Sequence, residues 1–111
     1  MNLDDGLSPN RLKFVRRRLG LSQAKMGQLM NVHQTLVSHW EHGTRTPDAY
    51  QQALYGLLLR ASQIATEAHF EAFDALLKGQ HYASALVMMA AIGMPGVRYT
   101  TDDRNEREDA K

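Results

Sequence analysis

Three features of the 111 residues predict an all-α chain. Apolar residues recur at helical spacing, hydroxyl–proline pairs stand where helices start, and glycines stand where the apolar runs stop. The expected architecture is a group of short helices followed by a C-terminal helical hairpin.

Ser8-Pro9 supplies a hydroxyl N-cap and a proline at the first helical position. Leu12, Val15 and Leu19 then form one stripe, and Gly20 ends the helix. Phe14 lies off that stripe, and the C-terminal helices are expected to cover it. Ser22 caps a second helix, Gln23 to Met30, with small residues at Ala24 and Gly27 and apolar ones at Met26, Leu29 and Met30. Gly27 costs roughly 0.8–1 kcal/mol of propensity relative to Ala, but it lets another helix approach closely. Asn31 stands where the chain must turn sharply, and after Gly it tolerates positive φ best.

A third helix runs from about His33 to His42, with Val37 and Trp40 inward and Gly43 closing it. Thr46-Pro47-Asp48 repeats the cap-and-proline signature and adds an acid in the first turn, where the helix dipole favours one. No strong breaker interrupts Ala49 to Lys78. Thirty residues in one straight helix are unusual in a small domain, so a break is expected between about Leu58 and Ser62, with Ser62 as cap. Over 63–78, Ala65, Phe70, Ala72, Phe73, Leu76 and Leu77 cover a broad face, against a narrow polar one of Gln63, Glu67, Glu71, Asp74 and Lys78. Gly79 ends this helix. A last one, about Tyr82–Ile92, is apolar nearly all round, so it is expected to be buried on more than one side. Met94-Pro95-Gly96 ends it. The charged tail TTDDRNEREDAK, residues 100–111, lacks the apolar residues of a core and reads as disordered.

At 43% hydrophobic and 23% charged, the chain has the make-up of one ordinary domain, or a small domain with an appendage. Without cysteine there is neither a disulfide framework nor thiolate chemistry. The acidic, polar first residues are unlike a secretory signal, and no apolar run approaches the roughly 20 residues of a membrane span. The cytoplasm, with association to the nucleoid when DNA is bound, is the expected location. The net charge of +1 conceals an asymmetry: residues through Arg60 carry +4 and those from Ala61 carry −3. A basic front suits a protein that presents one face to a polyanion, and it equally fits an unevenly charged solvated surface.

Residues 22–43 carry the strongest functional signal. A helix-turn-helix needs a cap for the supporting helix, a small residue at the crossing, a residue tolerant of the left-handed region at the turn, and an apolar anchor on the reading helix. Ser22, Gly27, Asn31 and Val37 fill these roles in order. With the anchors inward, Gln34, Thr35, Ser38 and His39 face outward; all can hydrogen-bond to base edges, and none carries a fixed negative charge. Trp40 reads as a core anchor, because its spacing from Val37 points it inward. His39 and His42 lie three apart on a helix, but no third ligand is spaced to complete a metal site. His69 and His81 read as surface or satisfied core histidines, and Met88-Met89 as core or interface filler. There is no Gly-rich phosphate loop, cysteine nucleophile or GxSxG, so no enzyme and no cofactor are expected.

At these residues the chain resembles the Cro and phage-repressor (XRE-like) helix-turn-helix family. The resemblance covers about Leu12 to Leu59 and rests on Leu12..Val15-Arg16...Leu19-Gly20-Leu21-Ser22-Gln23, on Val37..Trp40-Glu41.Gly43, and on Pro47. It implies a lambda-repressor-like domain over 8–61, with 62–96 as an added helical extension and 97–111 as the tail. Gln34 and Thr35 would make the main base contacts, Gln34 being able to pair bidentately with adenine, and Ser38 and His39 would follow along the groove. Gln23 would hold a phosphate with side chain and backbone N–H, and Lys25, His33, His42 and Arg45 would contact others. Arg16 would pair with Glu41. Three residues depart from the family pattern: Asn31 replaces the usual turn Gly, Lys25 replaces a frequent acid, and Leu36 is apolar at a position often polar.

The implied function is a bacterial or phage transcription regulator, a repressor that occludes an inverted-repeat operator in double-stranded DNA as a homodimer. The apolar surplus after Ser62, with Phe70, Phe73, Leu77, Leu86 and Met89, is expected to supply the dimer face. The alternative is an antitoxin whose C-terminal helices bind a toxin while the helix-turn-helix autorepresses its operon.

Overall fold

The computed structural model describes residues 7–95. Within them six helices follow one another: α1 (Pro9–Arg18), α2 (Gln23–Met30), α3 (Gln34–His42), α4 (Ala49–Ile64), α5 (Glu67–Lys78) and α6 (Tyr82–Gly93). No strand occurs among the described residues. The sequence after residue 95, including the tail read as disordered, lies outside them.

Most ends are set by the side chains the sequence offers. Ser8 Oγ accepts from the Arg11 N–H at 3.3 Å, and Ser22 Oγ from that of Lys25 at 3.1 Å. α4 starts two residues later than the hydroxyl–proline signature implied: the cap is Asp48 and not Thr46, Pro47 precedes the helix, and Asp48 forms a full capping box with Gln51, both bonds at 2.8 Å. Asn31 takes the left-handed region at φ 60°, as its place in the turn requires.

The helix break falls later than expected. α4 runs on to Ile64, and Thr66 begins α5 by a capping box with His69. Ser62 is not a cap. It is buried inside α4, where its hydroxyl donates to Leu59 O at 2.7 Å and its carbonyl accepts from Arg18 Nη2 at 2.8 Å. A serine that satisfies its hydroxyl on the preceding turn can stay helical. At the other end of α5 the positive φ belongs to Gln80 (64°), one residue beyond Gly79.

One core spans the chain. Leu12, Val15, Met26, Leu29, Val37, Trp40, Tyr55 and Leu58 join Phe73, Leu77, Ala85 and Met89 in a single buried cluster. Trp40 and Tyr55 meet edge to face, with centroids 5.9 Å apart. α1 packs on α3 and α4, while α6 lies against α4, α2 and α5. The α4–α6 approach depends on Gly93, where a Cβ would collide with the carbonyl of Leu57. The core therefore runs continuously across the boundary expected at residues 61 and 62.

That packing corrects two expectations. Phe73, Leu77 and Met89 are buried in the chain's own core and are not available to a second copy, while Phe70 and Leu86 are half-buried against the same core. The apolar surplus is consumed internally because α6 folds back onto α4. Phe14, expected beneath the C-terminal helices, is 48% exposed: α1 packs on α3 and α4, while α6, one of the helices expected to cover it, packs on α4, α2 and α5.

Candidate nucleic-acid interface

α2 and α3 are joined by a turn that brings their backbones together at Gly27, where a Cβ would stand 2.7 Å from Val32 O. α3 is fixed from behind by the fully buried Val37 and Trp40. Gln34, Thr35 and His42 are exposed on its outer side, and Ser38 and His39 are half-exposed between them. Arg45 is exposed in the loop that follows.

The only acid of α3, Glu41, is turned inward, its side chain fully enclosed. Arg16 Nε donates to Glu41 Oε2 at 2.6 Å and Nη2 to Oε1 at 3.0 Å, while Nη1 reaches Leu21 O at 2.8 Å. The expected Arg16–Glu41 pair is thus a two-point clamp between α1 and α3. Gln23 joins it by donating from Nε2 to Glu41 Oε1 at 3.1 Å. Burial alone would raise the Glu41 carboxyl. The hydrogen bonds from Arg16 and Gln23, with the charges of Arg16 and Lys13, outweigh it and hold the group below its usual range. The same bond to Glu41 raises Arg16 further. The outer surface of α3 is left without negative charge.

Three histidines are oriented by local bonds. His33 is the N-cap of α3: its Nδ1 accepts from the Thr35 N–H at 3.0 Å, leaving Nε2–H as an outward donor. His39 Nδ1 lies 2.8 Å from Thr44 Oγ1, whose hydroxyl donates to His39 O at 3.2 Å. Both bonds form together when Nδ1 carries the proton, so Nε2 faces outward as an acceptor. His42 Nδ1 lies 2.8 Å from Ser38 O and donates to it, which leaves its Nε2 free in the same way. The capping role of His33 and the Thr44 brace were missed from sequence. His33 stands two residues before Thr35, the spacing of an Asx-like turn, but histidine is a rare residue in that role.

At the start of α2, Ser22 satisfies the N–H groups of Lys25 and Met26. The N–H groups of Gln23 and Ala24 remain for an anion, beside the second N–H of the Gln23 amide. Lys25 is not part of this arrangement. Its Nζ lies 5.6 Å over the Tyr82 ring and 3.4 Å from the Tyr82 hydroxyl, on the α6 side of α2. Lys25 and Gly27 are about 200° apart around α2, and α2 crosses α3 at Gly27, so Lys25 points the other way. Of the expected phosphate contacts, Lys25 is therefore the one directed away from α3.

A family model described as "Helix-turn-helix" matches residues 12–50. No curated protein and no solved structure matches the chain.

Proposed function

We propose that residues 12–50, which match a helix-turn-helix family model, form a Cro- and phage-repressor-type DNA-binding domain of the XRE family, and that the protein is a transcription repressor that binds an inverted-repeat operator as a homodimer. α3 enters the major groove, where Gln34 and Thr35 contact base edges and Ser38 and His39 continue along it. His39 presents Nε2 as an acceptor, which suits the exocyclic amino groups of adenine or cytosine. The open N–H groups at the start of α2, with Gln23, hold one phosphate. His33, His42 and Arg45 approach others. Repression follows from occupancy: a helix seated in the groove excludes polymerase or another factor from the same stretch.

The observation that carries this reading is the outward polar surface of α3, free of acid and backed by the buried Val37 and Trp40. It is already assembled, so binding requires little ordering. A selection of bound duplexes from a random pool at several salt concentrations tests it. Two recurrent half-sites in inverted orientation, about 34–36 Å apart centre to centre or a multiple of that, are expected. Recovery of unrelated sequences at every salt concentration would overturn it.

A further inference from the structure

α1 carries five cations and no acid. Arg16 is spent on Glu41 and Arg18 on Ser62. Arg11, Lys13 and Arg17 make no ion pair among the described residues. In their midst Phe14 is 48% exposed, with the Arg18 guanidinium 5.8 Å from its ring centroid. Phe14 is about 200° around the helix from Leu12, which packs inward, so this face points away from α3 and lies outside a groove that α3 occupies. A large aromatic exposed among unpaired cations is an unusual surface for an isolated chain.

The complement of this face is present on the same molecule. The outer side of α5 exposes Glu67 and Glu71 beside a row of exposed alanines, Ala68, Ala72 and Ala75. Asp74 is already paired with Lys78 at 3.2 Å, so Glu67 and Glu71 are the acids left over. The small alanine side chains leave a shallow surface that a phenyl ring can cover. α1 and α5 do not pack on one another within the chain. Two copies related by a two-fold axis would form the contact twice, each α1 meeting the other chain's α5.

We propose that copies of this chain associate by seating Phe14 on the alanine row of the partner's α5, with Arg11 and Arg17 opposite the partner's Glu67 and the partner's Glu71. This deepens, and rests on, the reading that the protein is a homodimer. The contact leaves α3 and the start of α2 uncovered in both copies. A second copy is favoured over an unrelated acidic protein because the matching charge and shape are already carried on α5. Because the charges lie at the surface, the association weakens as salt rises.

Sedimentation equilibrium of the full chain tests this, using Phe14→Ala, the double variant Arg11→Glu/Arg17→Glu, and the double variant Glu67→Lys/Glu71→Lys. All five positions are exposed, so thermal melting of the variants is expected to stay near that of the parent. Each variant alone is expected to weaken self-association by about tenfold or more. An equimolar mixture of the two charge-reversed chains is expected to associate again, because one contact then has both charges reversed and the other is native. If the parent associates while the reversed chains do so equally well, or if their mixture stays apart, this surface is wrong and the homodimer stands without it. A parent chain that remains monomeric at all concentrations overturns both.

Discussion

Glu41 and Tyr55 show how differently two buried polar groups behave in one core. Glu41 has every oxygen engaged by Arg16 or Gln23 and is held in its charged form. Its folded-state value lies below that of the unfolded chain, so its contribution to stability is complete above about pH 4.3 and is lost as the pH falls through the lower folded value. Glu41→Gln is expected to flatten the acid limb of the stability curve, read from denaturant midpoints between about pH 5 and pH 2; an unchanged limb would show that other carboxylates govern it. Tyr55 is fully buried, and its hydroxyl has no hydrogen-bond partner among the described residues. Burial pushes the phenol far above its usual range. Removing an unsatisfied buried hydroxyl while keeping the ring removes a desolvation cost, so Tyr55→Phe is expected to raise stability by about 1 kcal/mol. A loss of similar size would mean the hydroxyl has a bonding partner after all. Of these residues, the Arg16–Glu41 pair followed from the family resemblance. The third member, Gln23, did not, because its expected task was a phosphate and its amide can serve two partners at once.

At the scale of the helices, the starts of α1 and α2 were legible, while those of α4 and α5 were not: the hydroxyl–proline signature pointed to Thr46 as a cap, and the structure caps α4 with Asp48. Ser8, Ser22 and Asp48 cap as their side chains allow, and Asn31 turns as only a few residues can. The α4–α5 break was misplaced because serine reads as a cap in sequence, while Ser62 bonds Leu59 O and continues the helix. Thr66 with His69 gave a weaker signal, since histidine seldom fills the return half of a capping box. The orientation of Lys25 was recoverable from its angular distance to Gly27, but which helix would lie on that side was not. The partner of α6 was equally hidden: nothing local says that Gly93 must meet the Leu57 carbonyl. Gly93→Ala gains helix propensity of up to about 1 kcal/mol but drives a methyl into a backbone carbonyl that has little room to move. Overpacking is the larger effect, and a net loss of about 1–3 kcal/mol in thermal or denaturant unfolding is expected. Stabilisation would mean that α4 and α6 are not in such close contact.

In the whole molecule one core gathers buried residues from both ends of the described chain, from Leu12 to Met89. The family resemblance implied a DNA-binding domain over 8–61 with an added helical extension, because apolar residues in one helix do not announce which neighbour they cover. In the structure Ala85 and Met89 are fully buried in the cluster that holds Leu58, Ala61 and Leu29. Truncation after residue 65 therefore opens the core from one side. The shortened chain is expected to lose its cooperative melting transition or to melt far below the full chain, as read by circular dichroism. An unchanged transition would restore the view of 8–61 as an independent unit. The same cluster joins α3 to the later helices, so α3 is backed by residues from outside the helix-turn-helix, Tyr55 against Trp40 among them.

Whether the outer face of α3 reads base identity is decided by measuring Gln34→Ala against a panel of single-base variants of the selected operator. A loss of about 1–3 kcal/mol confined to one base position is expected, with discrimination relaxed there and retained elsewhere. Equal weakening across the whole panel would contradict it, because a side chain that affects every sequence alike positions the protein without reading the bases.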